Sequence, residues 1–401
     1  MSARANLVVG QGGGPTAVIN NSLLGVIHEA VAQDKVGEIY GMVGGIEGFM
    51  HRQLVDLRRQ RKEALEGLRQ TPGAALGTCR YKPKESDLER ILEVLRAYEI
   101  RYFFYIGGND SATIVHRLNE FAKTANYELH AIAVPKTVDN DLVGTDHCPG
   151  YGSGARFVAA ALRNTGRDTE AMGKYGPIRL MEIMGRNAGW LTAATALARQ
   201  EERDAPHLVY VPERPVTLDQ IVEDTRRVYE TLGFAVLAVS EGTVDPSGKT
   251  VGEEFAPVEV DGFGHRRKGG VTQYLQVVLN ERLGVAARLD NPYYLQRSFS
   301  ELASPVDQQE AYMVGRKAVA AAASGERGKM VTLVREPGDT YRCTTGLIDV
   351  ALVADKERKL PPDWMNEAGN FPTQAFLDYA RPLIGGPLMP HSRLDLTIIG
   401  K

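Results

Sequence analysis

The chain has 401 residues, 43% of them hydrophobic and 24% charged, which is the composition of an ordinary globular protein with room for two domains. Its net charge is −3 and it has no long basic run, which argues against nucleic acid as the main partner, because binding a phosphate backbone needs clustered Lys and Arg. Three cysteines without CxxC spacing predict neither a disulfide framework nor a zinc site, and no apolar stretch approaches the ~20 residues needed to span a bilayer.

The first half of the chain alternates apolar, strand-like runs with stretches of helical periodicity. Strands are predicted at residues 7–9, 38–43, 101–106 and 130–134, and helices at 16–32, 86–98 and from 111 onward. Ser86 and Asp87 are candidate caps of the helix at 86–98.

The same alternation continues in the second half. Strands are predicted at 178–184, 208–211 and 234–240, and helices at 154–172, 188–200, 218–231 and 270–283. The strands are near-continuous apolar runs, as burial on both faces of a parallel sheet requires. Roughly eight strand–helix units exceed one open sheet of usual size, so we predict an α/β fold of two doubly wound, three-layer domains.

Polar or glycine-rich segments follow several of the predicted strands. They lie at residues 10–15, 107–111, 135–141, 184–186 and 240–242. Ligands of open parallel sheets bind just beyond the carboxyl ends of the strands, so these segments together indicate an active site.

The first of these segments, residues 10–15, reads Gly-Gln-Gly-Gly-Gly-Pro. Glycines between a strand and a helix expose backbone N–H groups, and the following helix N-terminus favours an anion such as phosphate. A tight turn with nothing bound would have the same sequence. In the second segment, Asp110 could face a metal or another cation, or it could cap the helix that follows.

The segment Pro135-Lys136-Thr137-Val138-Asp139-Asn140-Asp141 places a lysine and two acids directly after a strand. Two carboxylates two residues apart can divide the work of a base and a metal ligand, and Lys136 can neutralise developing phosphate charge. The structural alternative is a turn in which the acids bond to their own backbone.

Charged residues at the other segments have equally simple alternatives. Arg80 lies in a glycine-flanked loop and could bind phosphate or be solvated, while Arg186 and Glu241 could be exposed at the rim of a sheet. The sequence at 242–250 resembles a P-loop but has five residues, not four, between its glycines, so we read it as a turn.

Taken together, the segments resemble the phosphofructokinase family in order and spacing over roughly residues 5–335. The residues that carry the resemblance are Gly107-Gly108-Asn109-Asp110-Ser111, Pro135 to Asp141, Met184-Gly185-Arg186, Glu241 and Tyr294-Leu295-Gln296-Arg297. The resemblance implies a phosphofructokinase-like fold whose active site lies in the cleft between the two domains. It places the phosphoryl-donor domain at 1–150 plus about 296–326 and the sugar-phosphate domain at 151–295 plus about 327–401.

The resemblance also implies roles for individual residues. Asp139 matches the base that deprotonates the sugar hydroxyl, and Gly12 and Arg80 match positions that touch the phosphoryl donor. The positions that match the family's fructose 6-phosphate ligands are Thr137, Val138, Asp139, Met184, Gly185, Arg186, Glu241, Arg288, Tyr294 and Arg297.

Asp110 and Lys136 are similar to the pyrophosphate-dependent branch of the family, because ATP-using relatives carry glycine at both positions. Glycine leaves space for the α-phosphate of a nucleotide, whereas a lysine and an aspartate fill that space. The carboxylate would repel an α-phosphate, and the ammonium could hold the phosphoryl group being moved. We therefore predict that pyrophosphate is the donor. The resemblance to pyrophosphate-using relatives also implies that the reaction runs in both directions.

Magnesium is the cofactor that the family resemblance implies. Candidate ligands are Asn109, Asp110 and Asp141; relatives often have aspartate where Asn109 stands, so the metal should depend more on the two acids. We also expect a cytoplasmic protein, because the N-terminus lacks the apolar region of a signal peptide and the cysteines are sparse. A homo-oligomer, with a dimer favoured, is a further expectation.

Other functions compatible with the pattern are an ATP-dependent enzyme, the same chemistry on sedoheptulose 7-phosphate, a non-catalytic sugar-phosphate sensor, and a lipid or NAD kinase-like enzyme. A sensor would be expected to lose Asp139 or Lys136. A lipid or NAD kinase-like enzyme would not explain the segments at 184–186 and 294–297.

Overall fold

The computed structural model describes residues 4–255 and 270–397. Its strands are β1 (Ala5–Gln11), β2 (Val36–Met42), β3 (Leu54–Asp56), β4 (Ile100–Gly107), β5 (His130–Pro135), β6 (Ile178–Ile183), β7 (Leu208–Tyr210), β8 (Ala235–Ser240), β9 (Ala287–Asp290), β10 (Lys329–Arg335) and β11 (Cys343–Asp349). Its α-helices are α1 (Ile19–Ala32), α2 (Gly45–Met50), α3 (Lys62–Gly67), α4 (Glu85–Ala97), α5 (Asn109–Thr124), α6 (Tyr151–Met172), α7 (Trp190–Ala194), α8 (Leu218–Leu232), α9 (Val271–Leu283), α10 (Leu295–Ser298), α11 (Pro305–Ala323) and α12 (Gln374–Ala380).

The first sheet has the strand order β11-β10-β5-β4-β1-β2-β3. Strands β2, β1, β4, β5 and β10 are parallel, and the antiparallel strands β3 and β11 form its two edges. Alternate side chains of β1 enter different cores: Leu7 and Val9 pack with α1 and α11, while Val8 packs on the opposite face with α4 and α5. Helices therefore cover both faces, which explains the uninterrupted apolar runs of the central strands.

The second sheet contains four parallel strands in the order β7-β8-β6-β9. Leu180 of β6 faces the core formed with α8 and α9, and Met181 faces the core formed with α6 and α7. Both sheets are thus covered on two faces, and the predicted fold of two doubly wound, three-layer domains is confirmed.

The C-terminal part of the chain divides differently from the prediction. We placed everything from about residue 327 with the second domain, but β10 pairs with β5 and β11 with β10, so residues 329–349 extend the first sheet. The chain then returns to the second sheet, where Phe376 and Leu383 join the core formed with α6 and α7. Strand-pairing partners are set by tertiary contacts, which explains why the assignment from the resemblance placed this stretch with the other domain.

Some predicted element ends also differ. The helix predicted from Ser86 begins one residue earlier; Lys84 is its N-cap, and the Lys84 N–H donates to Asp87 Oδ2 at 2.7 Å. The helix predicted over 188–200 is a short α-helix followed by a 3₁₀ turn at Thr195–Ala198. In the described ranges, none of the helices combines the length and apolar character needed to cross a membrane.

Candidate active site

The carboxyl ends of adjacent strands β1, β4 and β5 face the carboxyl ends of β6 and β8 across a cleft. A cavity of about 520 Å³ lies there, and it is lined by Gly13, Gly14, Arg80, Lys82, Gly108, Asn109, Asp110, Ser111, Lys136, Thr137, Val138, Asp139, Asp141, Met184, Arg186, Asn187, Ala188, Glu241, Arg297, Asp355, Lys356 and Glu357. Most of the residues predicted from the strand ends therefore meet at one site.

The glycine turn after β1 approaches the cavity through Gly13 and Gly14. Gly12 is buried beneath them, where an added Cβ would lie 2.8 Å from both Ser111 Oγ and the Tyr105 ring. The backbone at Gly13 has φ +72°, and a Cβ at Gly14 would clash with the guanidinium of Arg297. Close approach of backbone and side chains explains why glycine is needed at these positions.

The helix N-terminus that reaches the cavity belongs to α5 and not, as predicted, to the helix after the glycine turn. α1 begins only at Ile19, whereas α5 begins at Asn109 directly after Gly108. Asp110 lies in the first turn of α5 and makes no capping hydrogen bond; its carboxylate instead lies 3.9 Å from Lys82 Nζ. Of the alternatives for Asp110, the structure therefore favours an acid that faces the cavity over a helix cap.

The turn after β5 is held by Asn140 rather than by its acids. Asn140 has φ +57°; its side-chain oxygen accepts from the Cys148 N–H at 2.9 Å, and its amide donates to Tyr379 Oη at 3.0 Å. Asp139 Oδ1 and Asp141 Oδ1 are buried and have no hydrogen-bond partner in the described part of the chain. An acid that only stabilised the turn would not leave an oxygen unpaired, because an unsatisfied buried acceptor is costly.

Lys136 reaches from the turn after β5 to the glycine turn after β1. It is 4% exposed, and its Nζ donates to the carbonyl of Gly14 at 2.6 Å. Burial, and then the charge of Arg297, lower the pKa of Lys136 to about 8, although Asp139 and Asp141 oppose the shift.

Burial also raises the pKa of both acids in the turn. For Asp139 the charge of Glu241 adds to the effect of burial, and the nearby cations Arg186, Arg297 and Lys136 oppose it. For Asp141 the next largest cause is the charge of Asp139. A raised pKa makes a carboxylate a stronger proton acceptor, which is the property that a general base requires.

Three cations, Arg80, Lys136 and Arg297, line the cavity close to one another. Burial and then the charge of Arg80 lower the pKa of Arg297, and Arg297 in turn lowers that of Lys136. Three mutually repelling cations in one partly buried place indicate a site for a polyanion, because a bound anion would relieve the repulsion.

Residues of the second sheet form the other wall. The Met184 N–H donates to Gln296 Oε1 at 3.0 Å, and the Gly185 N–H donates to Glu241 Oε1 at 3.2 Å. Gly185 has φ +124° and lies behind the wall, whereas the Met184, Arg186 and Glu241 side chains line it. The positive φ requires glycine at 185 and orients its neighbours toward the cavity.

Besides Gly185, two predicted sugar ligands do not line the cavity of the single chain. Arg288 is exposed on β9 and donates to the Tyr175 carbonyl at 3.0 Å. Tyr294 is 51% exposed, and its ring lies 4.5 Å from the Arg297 guanidinium carbon. Of Arg288, Tyr294 and Arg297, only Arg297 lines the cavity.

The prediction missed several residues that line the cavity. They are Lys82, Asn187 and Ala188, together with Asp355, Lys356 and Glu357 from the C-terminal part of the chain. Asn187 and Ala188 follow the Met-Gly-Arg segment directly, so their position extends a recognisable motif. No comparable pattern marks residues 355–357, because a long-range return of the chain brings them to the cleft.

Unpaired oxygens of the turn after β5 and of Asn109, at the start of α5, fit a hard divalent cation. Asn109 Oδ1, Asp139 Oδ1 and Asp141 Oδ1 are all buried without a partner, and Asn109 Nδ2 donates to Asp141 Oδ2 at 3.0 Å. Carboxylate and amide oxygens are the ligands that Mg²⁺ prefers. The carboxylate of Asp110, which we also predicted as a ligand, lies 3.9 Å from Lys82 Nζ.

Comparisons with known proteins agree with this geometry. The family described as Phosphofructokinase matches residues 6–322. The chain is 42% identical to "Pyrophosphate--fructose 6-phosphate 1-phosphotransferase" from Rhodospirillum rubrum, over 99% of this chain and 98% of that protein. It is 34% identical to "Sulfofructose kinase" from Alkalicoccus urumqiensis, over 89% and 91%.

A solved structure is also similar. The crystal structure of a pyrophosphate-dependent phosphofructokinase from Marinobacter aquaeolei superimposes with a TM-score of 0.87 at 35% identity, covering 97% of this chain and 94% of that one.

Proposed function

The chain belongs to the phosphofructokinase family, and from this premise we propose that it transfers a phosphoryl group from pyrophosphate to the 1-hydroxyl of D-fructose 6-phosphate. The products are fructose 1,6-bisphosphate and phosphate, and the reaction is reversible. The observation that carries the choice of donor is the position of Asp110 and Lys136, which line the same cavity beside the glycine turn. There the two side chains fill space that the α-phosphate of a nucleotide would need, and the Lys136 ammonium can bind the smaller anion pyrophosphate.

The turn after β5 performs the proton transfer in this proposal. Asp139 accepts the proton of the 1-hydroxyl while that oxygen forms a bond to one phosphorus of pyrophosphate. The bond from this phosphorus to the bridging oxygen breaks, and phosphate leaves. Lys136 and Arg80 stabilise the charge that spreads over the transferred group.

We assign the remaining contacts as the resemblance to the family implies. Gly12, through the turn it supports, Arg80 and Lys136 serve the donor; Thr137, Val138, Met184, Gly185, Arg186, Glu241 and Arg297 serve the sugar phosphate. Arg288 and Tyr294 lie outside the cavity of a single chain, so their contact with the sugar stays a prediction.

Magnesium completes the proposed site. Asn109 and Asp141 would hold Mg²⁺ through their side-chain oxygens, and the ion supplies charge neutralisation to pyrophosphate. We expect turnover to stop when EDTA removes divalent metal and to return with added Mg²⁺. Full activity in EDTA would contradict this assignment.

We also propose that the protein is a cytoplasmic homodimer. Cys79, Cys148 and Cys343 are unpaired thiols, which supports a reducing compartment. Tyr293, Tyr294 and Leu295 form a run of apolar side chains that are 53%, 51% and 53% exposed, as expected of a surface that a second copy covers. Light scattering of the purified protein measures the oligomeric state directly.

The decisive experiment is an assay of purified protein with fructose 6-phosphate, Mg²⁺ and either pyrophosphate or ATP. We expect fructose 1,6-bisphosphate from pyrophosphate only. Parallel arms with sedoheptulose 7-phosphate and 6-deoxy-6-sulfofructose test the sugar, and we expect fructose 6-phosphate to have the highest kcat/KM. Turnover with ATP but not with pyrophosphate would overturn the proposal.

A further inference from the structure

A short C-terminal segment, residues 355–358, crosses the cleft and contacts both of its walls. We call it the C-terminal strap. Thr113 Oγ1 of α5 donates to Asp355 Oδ1 at 3.1 Å, and Asn187 Nδ2 on the opposite wall donates to Glu357 Oε1 at 2.9 Å. Asp355 has φ +58°, an unfavourable conformation for a residue other than glycine. The strap is thus held in a specific conformation over the cavity.

The last residue of the strap, Arg358, binds the backbone of the turn after β5. Its N–H donates to the Asp141 carbonyl at 2.7 Å, and its Nε and Nη2 donate to the Asn140 carbonyl at 3.2 and 3.1 Å. Its Nη1 donates to the carbonyls of Thr145 and Asp146 at 2.8 and 2.6 Å. Arg358 therefore donates to four backbone carbonyls, two in the turn after β5 and two in the loop that follows it.

The same guanidinium is fixed from the second domain. Its central carbon lies 4.3 Å from the centre of the Trp190 ring, at the start of α7, and Trp190 Nε1 donates to the Arg358 carbonyl at 3.1 Å. A planar guanidinium can stack on an aromatic face and still donate in its own plane, which an ammonium cannot do. Arg358 thus joins the catalytic turn of the first sheet to a rigid element of the second.

The turn needs such support because the Asp139 side chain has few hydrogen bonds to fix its position. Asp139 Oδ1 is unpaired, and the neighbouring Asn140 is held at positive φ. A non-glycine residue persists in that conformation only where its surroundings fix it. The backbone at Asn140 and Asp141 therefore sets the direction of the Asp139 carboxylate.

We propose that Arg358 is a positioning residue for phosphoryl transfer: by holding the carbonyls of Asn140 and Asp141 it fixes the Asp139 carboxylate at the reacting hydroxyl. The inference rests on the proposed function. Arg358 does not line the cavity, so it acts through the turn and not on the substrate. Its loss should reduce the rate of the chemical step more than it weakens substrate binding.

The test compares Arg358→Met and Arg358→Lys with the control Arg393→Met. Arg393 also makes several polar contacts, with Glu170 and Asp204, but none with the turn. In Arg358→Met we expect kcat to fall by roughly 10–100-fold, because small misplacements of a catalytic group have effects of that size. KM for fructose 6-phosphate should change by less than about threefold.

Arg358→Lys should recover only part of the rate, because an ammonium cannot stack on Trp190 and donate in one plane as a guanidinium does. Arg393→Met should keep the wild-type kcat even if its melting temperature falls as much as that of Arg358→Met. Equal kcat in wild type and Arg358→Met, or equal losses in both methionine variants, would overturn the inference.

Hydrogen–deuterium exchange provides a readout that does not depend on activity. We expect faster exchange in residues 135–150 of Arg358→Met and wild-type exchange there in Arg393→Met. Unchanged exchange at 135–150 in Arg358→Met would also overturn the inference. An inactive wild type, by contrast, would contradict the proposed function. The hydrogen–deuterium exchange of residues 135–150 would then still test whether Arg358 holds the turn.

Discussion

The Asp139 carboxylate lies at a place where burial and a neighbouring acid favour its protonated form, while three cations oppose that shift. This balance gives a carboxylate that can accept a proton and yet be charged when substrate binds. The environment comes from residues on both sheets, since Glu241 and Arg186 belong to the second and Lys136 to the first.

We predict that Asp139→Asn reduces kcat by about 10²–10⁴-fold, the usual contribution of a positioned base. Binding of fructose 6-phosphate, measured by calorimetry, should survive because the amide keeps the size of the side chain. Asp363→Asn, a change at an exposed acid, is the matched control and should be silent. Parallel loss of folding and binding in Asp139→Asn would instead indicate a structural role.

The pair Asp110 and Lys136 gives a second prediction. The double variant Asp110→Gly/Lys136→Gly should lose turnover with pyrophosphate, because the ammonium beside Gly14 is removed. It should gain weak ATP binding, detectable by calorimetry, because the two side chains no longer fill the nucleotide space. Retained pyrophosphate turnover in this variant would show that neither residue selects the donor.

Helices α1 and α11 pack unusually closely against each other. A Cβ added at Gly25 would meet the carbonyl of Tyr312, and one added at Gly315 would meet the carbonyl of Ser22. These obstacles are backbone atoms of the facing helix, which cannot move without shifting the helix. The contact fixes α11 against the face of the first sheet opposite α5.

We therefore expect Gly315→Ala to destabilise the protein by about 1–3 kcal/mol, the usual cost of overpacking. Urea unfolding measures the effect. Gly67→Ala is the matched control, since a Cβ at this helical position meets nothing within 4 Å and should be neutral or slightly stabilising. Equal stability of both variants would mean that the two helices separate at little cost.

A buried ion network joins the loop after β5 to α11. His147 Nδ1 lies 2.8 Å from Asp146 Oδ2, and its Nε2 lies 2.6 Å from Glu310 Oε2. Tyr341 Oη donates to the other oxygen of Glu310, and Arg335 pairs with Asp146. Burial alone would lower the pKa of His147, but the bonds to the two acids outweigh that effect and raise it to about 9.

A raised folded-state pKa means that the histidine stabilises the fold while it is charged. The stabilisation should be complete below pH 6.5, the ordinary pKa of histidine, and disappear as the pH rises through about 9. We expect stability to unfolding to fall across this window in the wild type and to fall less in His147→Gln. His207→Gln should keep the wild-type slope, because burial lowers the pKa of His207 to about 4.

The elements that the sequence predicts best are those with continuous apolar runs between glycine turns, such as β1, β4 and β5. Helix α1 begins three residues later than predicted. Residues 16–18 are small or apolar and buried, so they fit the helical pattern, but they are not helical. Strand β11 escaped prediction for another reason: none of its side chains is fully buried, and it joins the sheet at an edge by pairing with β10.

Substrate binding should stabilise the whole molecule, since the cavity is lined by both sheets and by the C-terminal strap. A ligand at 100 times its Kd stabilises the folded state by about 2.7 kcal/mol. We expect the melting temperature to rise with fructose 6-phosphate and with magnesium-pyrophosphate, each added alone. If neither substrate changed the melting temperature, the cleft would not be the binding site.

Most of this site followed from strand ends, because parallel strands bring their carboxyl ends to one edge whatever the details of packing. Arg288 and Tyr294 show the limit of that reasoning: they match a motif, yet they lie on the surface of the single chain. The C-terminal strap shows the reverse case, in which residues lie at the site although no sequence motif marks them. Only the return of the chain after β11 brings Arg358 to the catalytic turn.

The stacking of Arg358 on Trp190 has an optical consequence. The protein has two tryptophans, and the rings of Trp190 and Trp364 lie 5.7 Å apart, edge to face. All of the indole emission of the unlabelled enzyme therefore arises from one place, beneath the guanidinium that joins the two domains. Stopped-flow fluorescence during substrate addition should thus record any movement at this junction without a dye.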